Sequence, residues 1–296
     1  MKKRFEISAR GFSAYLWCVI ALTLVGIALR TASMFLFFDY DINYYSAGAA
    51  LPLISNIFFA LSAVAITVVS VGAREIPFTA DGNERGIVIK LASFICTLSF
   101  ILSASETLGA VTLIPSAVLT TVLYVSAVYF LLNLTRSPSS AQALTSVALI
   151  ISLASFIALS YFDTFTQMNS PLKVHLHLAM LASMLFITAE ARAIIGMIKK
   201  RFYLFSLSMA VFFTGVASVP NATAILAGKL EYNITPFYYI FDLVTFFLFV
   251  YFLCRLVRLN SFVSNESETV NDLPAAETVK TITEEDTESN KDTDEK

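Results

Sequence analysis

Long apolar runs separated by short polar breaks organise this chain. Eight runs, at 12–38, 46–72, 86–108, 111–134, 143–162, 171–197, 203–228 and 236–258, reach the about 20 residues a helix needs to cross a hydrocarbon core of about 30 Å. The breaks between them, such as 39–45 and 199–202, are too short to fold alone. The pattern therefore predicts an all-α membrane protein of eight transmembrane helices, with no separate catalytic or nucleic-acid-binding domain and no nucleic-acid partner. Pro52, Pro115, Pro171 and Pro236 fall near the starts of runs two, four, six and eight, where a first-turn proline loses nothing because its missing N–H would have no helical partner anyway. Pro220 lies inside run seven. There it removes a helix hydrogen bond and predicts a kink or break that exposes carbonyls near Asn221.

Composition agrees with the pattern. Of 296 residues, 57% are hydrophobic and 14% charged, against about 25% charged in an ordinary soluble domain. Twenty-six Phe and twelve Tyr exclude a disordered or fibrous chain. The net charge of -2 conceals a basic body and an acidic end, because residues 260–296 hold three lysines against eleven acids. That segment has scarcely any large apolar side chains and is predicted to be a disordered, solvated tail, the expected handle for a cytoplasmic protein partner. Lys2, Lys3, Arg4, Arg10, Arg74, Arg85, Arg136, Lys199, Lys200, Arg201, Arg255 and Arg258 all fall on one side of the eight runs, with only Lys173 and Lys229 on the other. The positive-inside rule then puts both termini in the cytoplasm. The basic start MKKRFEISAR leads into about 27 apolar residues without a small-x-small cleavage site, which predicts a first transmembrane helix rather than a signal peptide. The compact loops favour a bacterial cytoplasmic membrane.

The two halves echo each other. Val128–Arg136, VYFLLNLTR, closes run four and Val250–Arg258, VYFLCRLVR, closes run eight, with six of nine positions identical. Phe38-Asp39 matches Phe162-Asp163, Pro52 matches Pro171, Ala73-Arg74 matches Ala191-Arg192, and Pro115 matches Pro236, in the same order. Four spans per half would relate the halves by an axis along the membrane normal, with any site near their interface. The expected organisation is a basic cytoplasmic N-terminus at 1–11, four-helix repeats at 12–138 and 139–259, and the tail at 260–296.

Few ionisable groups fall inside the runs, and such groups are costly in a membrane. Arg30, Glu106, Asp163, His175 and Asp242 sit in about the outer third, counting 1.5 Å per residue, and are predicted to line a polar cavity between the halves that binds a small charged solute. Thr23, Gly26, Arg30 and Ser33 share one stripe, as do Cys96, Ser99, Ser103 and Glu106, and Thr235, Tyr238, Asp242 and Thr245. Such small and hydroxylated stripes mark helix interfaces. His177, Glu190, Arg192 and Asn221 are secondary candidates. His175 and His177 lie about 200° apart around one helix and cannot chelate one ion together. Glu190 and Arg192, nearer the cytoplasmic end, read best as interfacial anchors. Cys18, Cys96 and Cys254 lack metal spacing and read as packing residues. No HExxH, GxSxG, phosphate-loop or GxGxxG motif occurs, so no catalytic residue, metal or cofactor is assigned. Three functions remain: a transporter or membrane-embedded binding protein, a non-catalytic sensor or accessory subunit whose intramembrane charges are structural, and an intramembrane enzyme acting on lipid.

Overall fold

The computed structural model describes residues 9–72, 86–109, 114–134, 140–162, 167, 169–230 and 236–271. Eight helices account for nearly all of them: α1 (Ala9–Phe37), α2 (Ala50–Gly72), α3 (Ile87–Gly109), α4 (Ile114–Leu132), α5 (Ser140–Phe162), α6 (Pro171–Ile194), α7 (Lys200–Leu226) and α8 (Pro236–Asn271). Seven are long and apolar enough to cross a membrane, and α4 contributes a shorter apolar stretch, Ala117–Leu132. The protein is therefore a multi-pass membrane protein. Each of the eight apolar runs forms one helix because in hydrocarbon a helix satisfies its own backbone groups.

The four prolines at the starts of the even-numbered runs fall in first turns, Pro171 and Pro236 at the first residue, Pro115 at the second and Pro52 at the third. At α6 the turn is also capped, with the Ser170 hydroxyl accepting from the Leu172 N–H at 3.3 Å. Run two starts later than its apolarity suggests, because Tyr44 and Tyr45 pair with Phe38 and Asp39 as a two-residue antiparallel ladder, β1 (Phe38–Asp39) and β2 (Tyr44–Tyr45). Asn43 closes this hairpin with φ 55, a left-handed conformation that asparagine tolerates better than most residues. The Ser170 hydroxyl donates to the Asn43 carbonyl at 2.9 Å and ties the hairpin to the start of α6.

At the other end α8 continues to Asn271, past residue 259, where the tail was expected to start. Helix continuation needs only that nothing breaks it, and the first proline beyond the span is Pro274. Residues 272–296 lie outside the described residues.

The core is built on α7 and α8. Helix α7 packs against α1, α2, α6 and α8, and α8 packs also against α1, α3 and α6. The halves are not packed alike: α6 lies along α7, whereas their counterparts in the sequence echo, α2 and α3, form no substantial pair among the described residues. Between helices the contacts use small residues and hydroxyls. A Cβ on Gly26 would come within 2.9 Å of Val216, and one on Gly215 within 2.8 Å of Phe249 and 2.9 Å of Thr23, so α1, α7 and α8 meet where side chains are missing. The Tyr15 hydroxyl bridges Ser70 at 2.7 Å and Ser208 at 3.0 Å, joining α1, α2 and α7, and Ser33 meets Ser55 at 3.0 Å. Cys96 is buried with its thiol on the Phe247 carbonyl at 3.2 Å, while Cys18 is exposed and Cys254 half-buried.

Candidate functional site

Two buried polar clusters and one cleft hold the chemistry. The first cluster begins with Pro220, which lies inside α7 without interrupting it. Proline has no N–H to give the carbonyl four residues back, here that of Val216. Arg30, from α1, supplies the donor instead: its Nη1 reaches the Val216 carbonyl at 2.5 Å and the Ala217 carbonyl at 2.8 Å. Its Nη2 donates to Asn221 Oδ1 at 3.1 Å, and Asn221 Nδ2 donates to Asp242 Oδ1 at 2.9 Å. All three side chains are buried. Asn221, a secondary candidate in the sequence, is thus the link between the two opposite charges of α1 and α8. The expected stripe of α1 is buried throughout, at Thr23, Gly26, Arg30 and Ser33, and Asp242 and Thr245 are buried on α8.

Tyr45 of the hairpin also hydrogen-bonds Arg30; burial raises the phenol above its ordinary value and the guanidinium beside it offsets part of that rise.

The second cluster lies near the other ends of the helices and centres on Glu190 of α6, which is buried. Arg255 of α8 makes an ion pair with it, Tyr129 of α4 donates to it, and the Tyr251 hydroxyl of α8 donates to Oε1 at 3.1 Å. Asn133 Nδ2 donates to the Tyr251 oxygen at 3.3 Å, and Gln142 of α5 donates to Asn133 Oδ1 at 2.7 Å. Glu190 is therefore a core residue and not an interfacial anchor, because α8 brings a cation and α4 a phenol to it. Arg255, counted above among the cytoplasmic cations, is buried as its partner. Arg192 is half-buried on another face of α6. Lys173 is likewise buried, in the first turn of α6.

The remaining candidates separate. His177 faces α5, where it hydrogen-bonds Ser160. His175 faces the opposite way: its ring meets Phe59 edge-on at 5.5 Å and its Nδ1 lies 2.6 Å from the Pro171 carbonyl, so the two histidines indeed serve different faces. Glu106 is exposed, although Cys96, Ser99 and Ser103 on its stripe are buried. Phe100, Ser103 and Ala104, all buried, set the inward direction at that end of α3, and Glu106 lies outside that arc, about 60° beyond Ser103. Asp163 lies outside the described residues. Among the described residues no group of three or more metal-ligating side chains comes together.

A cleft of about 620 Å³ opens between α2 and α6, beneath the hairpin and floored by Phe213 of α7. Its hairpin end carries Tyr44, Asn56, Asn169 and His175, and farther from the hairpin it is walled by Ala60, Ala63 and Leu178. Of the sequence candidates, His175 lines it; Arg30 stands behind the Tyr45 that does. The other lining residues were missed in the sequence because Asn56 and the hairpin tyrosines are ordinary polar residues until α6 is set opposite them. No protein-family model matches this chain, and neither a curated protein nor a solved structure is similar to it.

Proposed function

We propose that this protein is a membrane-embedded binding protein or transporter for a small solute, with both termini cytoplasmic and the α2–α6 cleft as its binding site. The observation that carries this reading is the cleft itself. At about 620 Å³ it falls within the range of small-molecule sites, about 300–1,000 Å³, and combines an apolar wall with a few convergent polar groups. His175 is the residue where a sequence candidate and the cleft coincide. A bound solute would hydrogen-bond the imidazole edge that the Pro171 carbonyl leaves open.

A second reading, an accessory subunit with purely structural intramembrane charges, draws on another observation. Arg30 and Asp242 are joined through Asn221, and Glu190 is held by Arg255, as groups serving to hold helices together would be. Thermal unfolding of the purified full chain, screened against metabolites, ions and lipids, separates the two. A binding protein should show a ligand that raises its midpoint, with the rise lost in His175→Ala and in Ala60→Trp, which fills the cleft. A rise that survives both substitutions would place binding elsewhere and remove the first reading.

A further inference from the structure

We infer that the occupant of the α2–α6 cleft is an amphiphile with an uncharged hydrogen-bonding head and a hydrocarbon tail, arriving sideways from the leaflet on the hairpin side. This rests on the reading that the cleft is the binding site and adds the ligand class. Four observations lead to it.

The mouth opens to lipid. Its rims carry Leu53 on α2 and Val174 and Leu178 on α6, which are 62%, 42% and 38% exposed; within membrane-crossing helices such side chains face hydrocarbon, not water. The hairpin end, in contrast, carries polar groups that the protein leaves open. Among the described residues no partner hydrogen-bonds the side chains of Tyr44, Asn56 or Asn169. Asn56 stands about 9 Å into α2 from Ala50, at 1.5 Å per residue, where an unsatisfied amide is costly and a ligand head would satisfy it.

Charge then selects the head. Among the described residues no Lys, Arg, Asp or Glu lines the cleft, and Arg30 behind Tyr45 is already engaged with Asp242 through Asn221, so an ionised head would sit in a low-dielectric site without a counter-charge of its own. A hydroxyl, ester or amide head fits the amides, the phenol and the imidazole as donor and acceptor. The wall below it fits a tail: Asn56, Ala60 and Ala63 follow one another at helical spacing on one face, polar first and small afterwards, opposite Leu178 and above Phe213.

The test uses the full chain in lipid nanodiscs with two photoactivatable probes of equal tail length, a monoacylglycerol and the matching fatty acid, each with its reactive group in the tail. Cross-linked residues are read by mass spectrometry. The neutral probe should label the stretches of α2 and α6 that wall the cleft about tenfold above the exposed face of α5, and Ala60→Trp should abolish that excess. Asn56→Leu, a change on an exposed position that removes the head contact without filling the cleft, should weaken labelling by the neutral probe. Even labelling around the bundle, or equal labelling of the cleft by the fatty acid, would overturn the inference. Stabilisation by free glycerol or another tailless neutral solute, lost in Ala60→Trp, with no cleft labelling by the amphiphile, would overturn the inference and leave the cleft as a binding site. If neither class responds to Ala60→Trp, both readings fall.

Discussion

Pro220 and Arg30 act as one unit across two helices. The proline leaves the Val216 carbonyl without its helical donor, and the guanidinium occupies that carbonyl at 2.5 Å while reaching Asp242 through Asn221. Removing the arginine would strand a carbonyl and take a positive charge away from a buried carboxylate, a loss of about 3–5 kcal/mol for a buried ionic network. Pro220→Ala restores the helix N–H, so Arg30→Met should cost less in the Pro220→Ala background than in the native chain, by about 1 kcal/mol, the scale of a hydrogen bond between membrane helices. Unfolding of the four members of this double-mutant cycle measures the coupling, and strict additivity would show that the two residues are independent. The sequence already placed Arg30 and Asp242 on buried stripes and freed carbonyls near Asn221. It could not say that Arg30 is the donor those carbonyls receive, because the donor and the carbonyl come from helices remote in the chain.

Close approach of helices is governed by two glycines. Gly215 faces the Phe249 ring and the Thr23 methyl at distances that no Cβ could share, 2.8 and 2.9 Å, and Gly26 faces Val216 from α1. Gly215→Ala is therefore expected to lower stability by about 1–3 kcal/mol, as overpacking does, despite alanine's better helix propensity. If the thermal midpoint of Gly215→Ala equals or exceeds that of the native protein, α1, α7 and α8 do not pack this closely. Apolar length was enough to foresee a helix in each apolar run, seven of them long enough to cross a membrane, since in a membrane the backbone must bond to itself. Boundaries were legible only where a local signal exists, as at Ser170-Pro171. The late start of α2 and the long C-terminal extension of α8 depended on a strand partner and on the absence of breakers, which hydropathy does not register.

Across the whole bundle, Glu190 joins four helices. The tyrosines of the two echoed segments, Tyr129 and Tyr251, both donate to its carboxylate, and the residues four positions on, Asn133 and Arg255, join the same network. Glu190→Gln would leave Arg255 buried without its counter-charge, and Arg255→Gln would leave the carboxylate likewise, each costing about 3–5 kcal/mol. Changing both keeps partners for the tyrosines and removes both charges, so the double variant should recover most of the stability lost by either one. Thermal unfolding in detergent reads this directly, and a double variant as weak as the singles would mean that the ion pair is not what holds the hub.

What the amino-acid order determined alone is the multi-pass membrane class and the inward stripe of α1, because burial in lipid and helical periodicity are local properties of a segment. Only the tertiary structure decided which charges meet, that Glu190 lies in the core while Glu106 does not, and that His175 looks into a cleft. Those outcomes depend on which helix stands opposite, and the same apolar alphabet is written into every one of the eight.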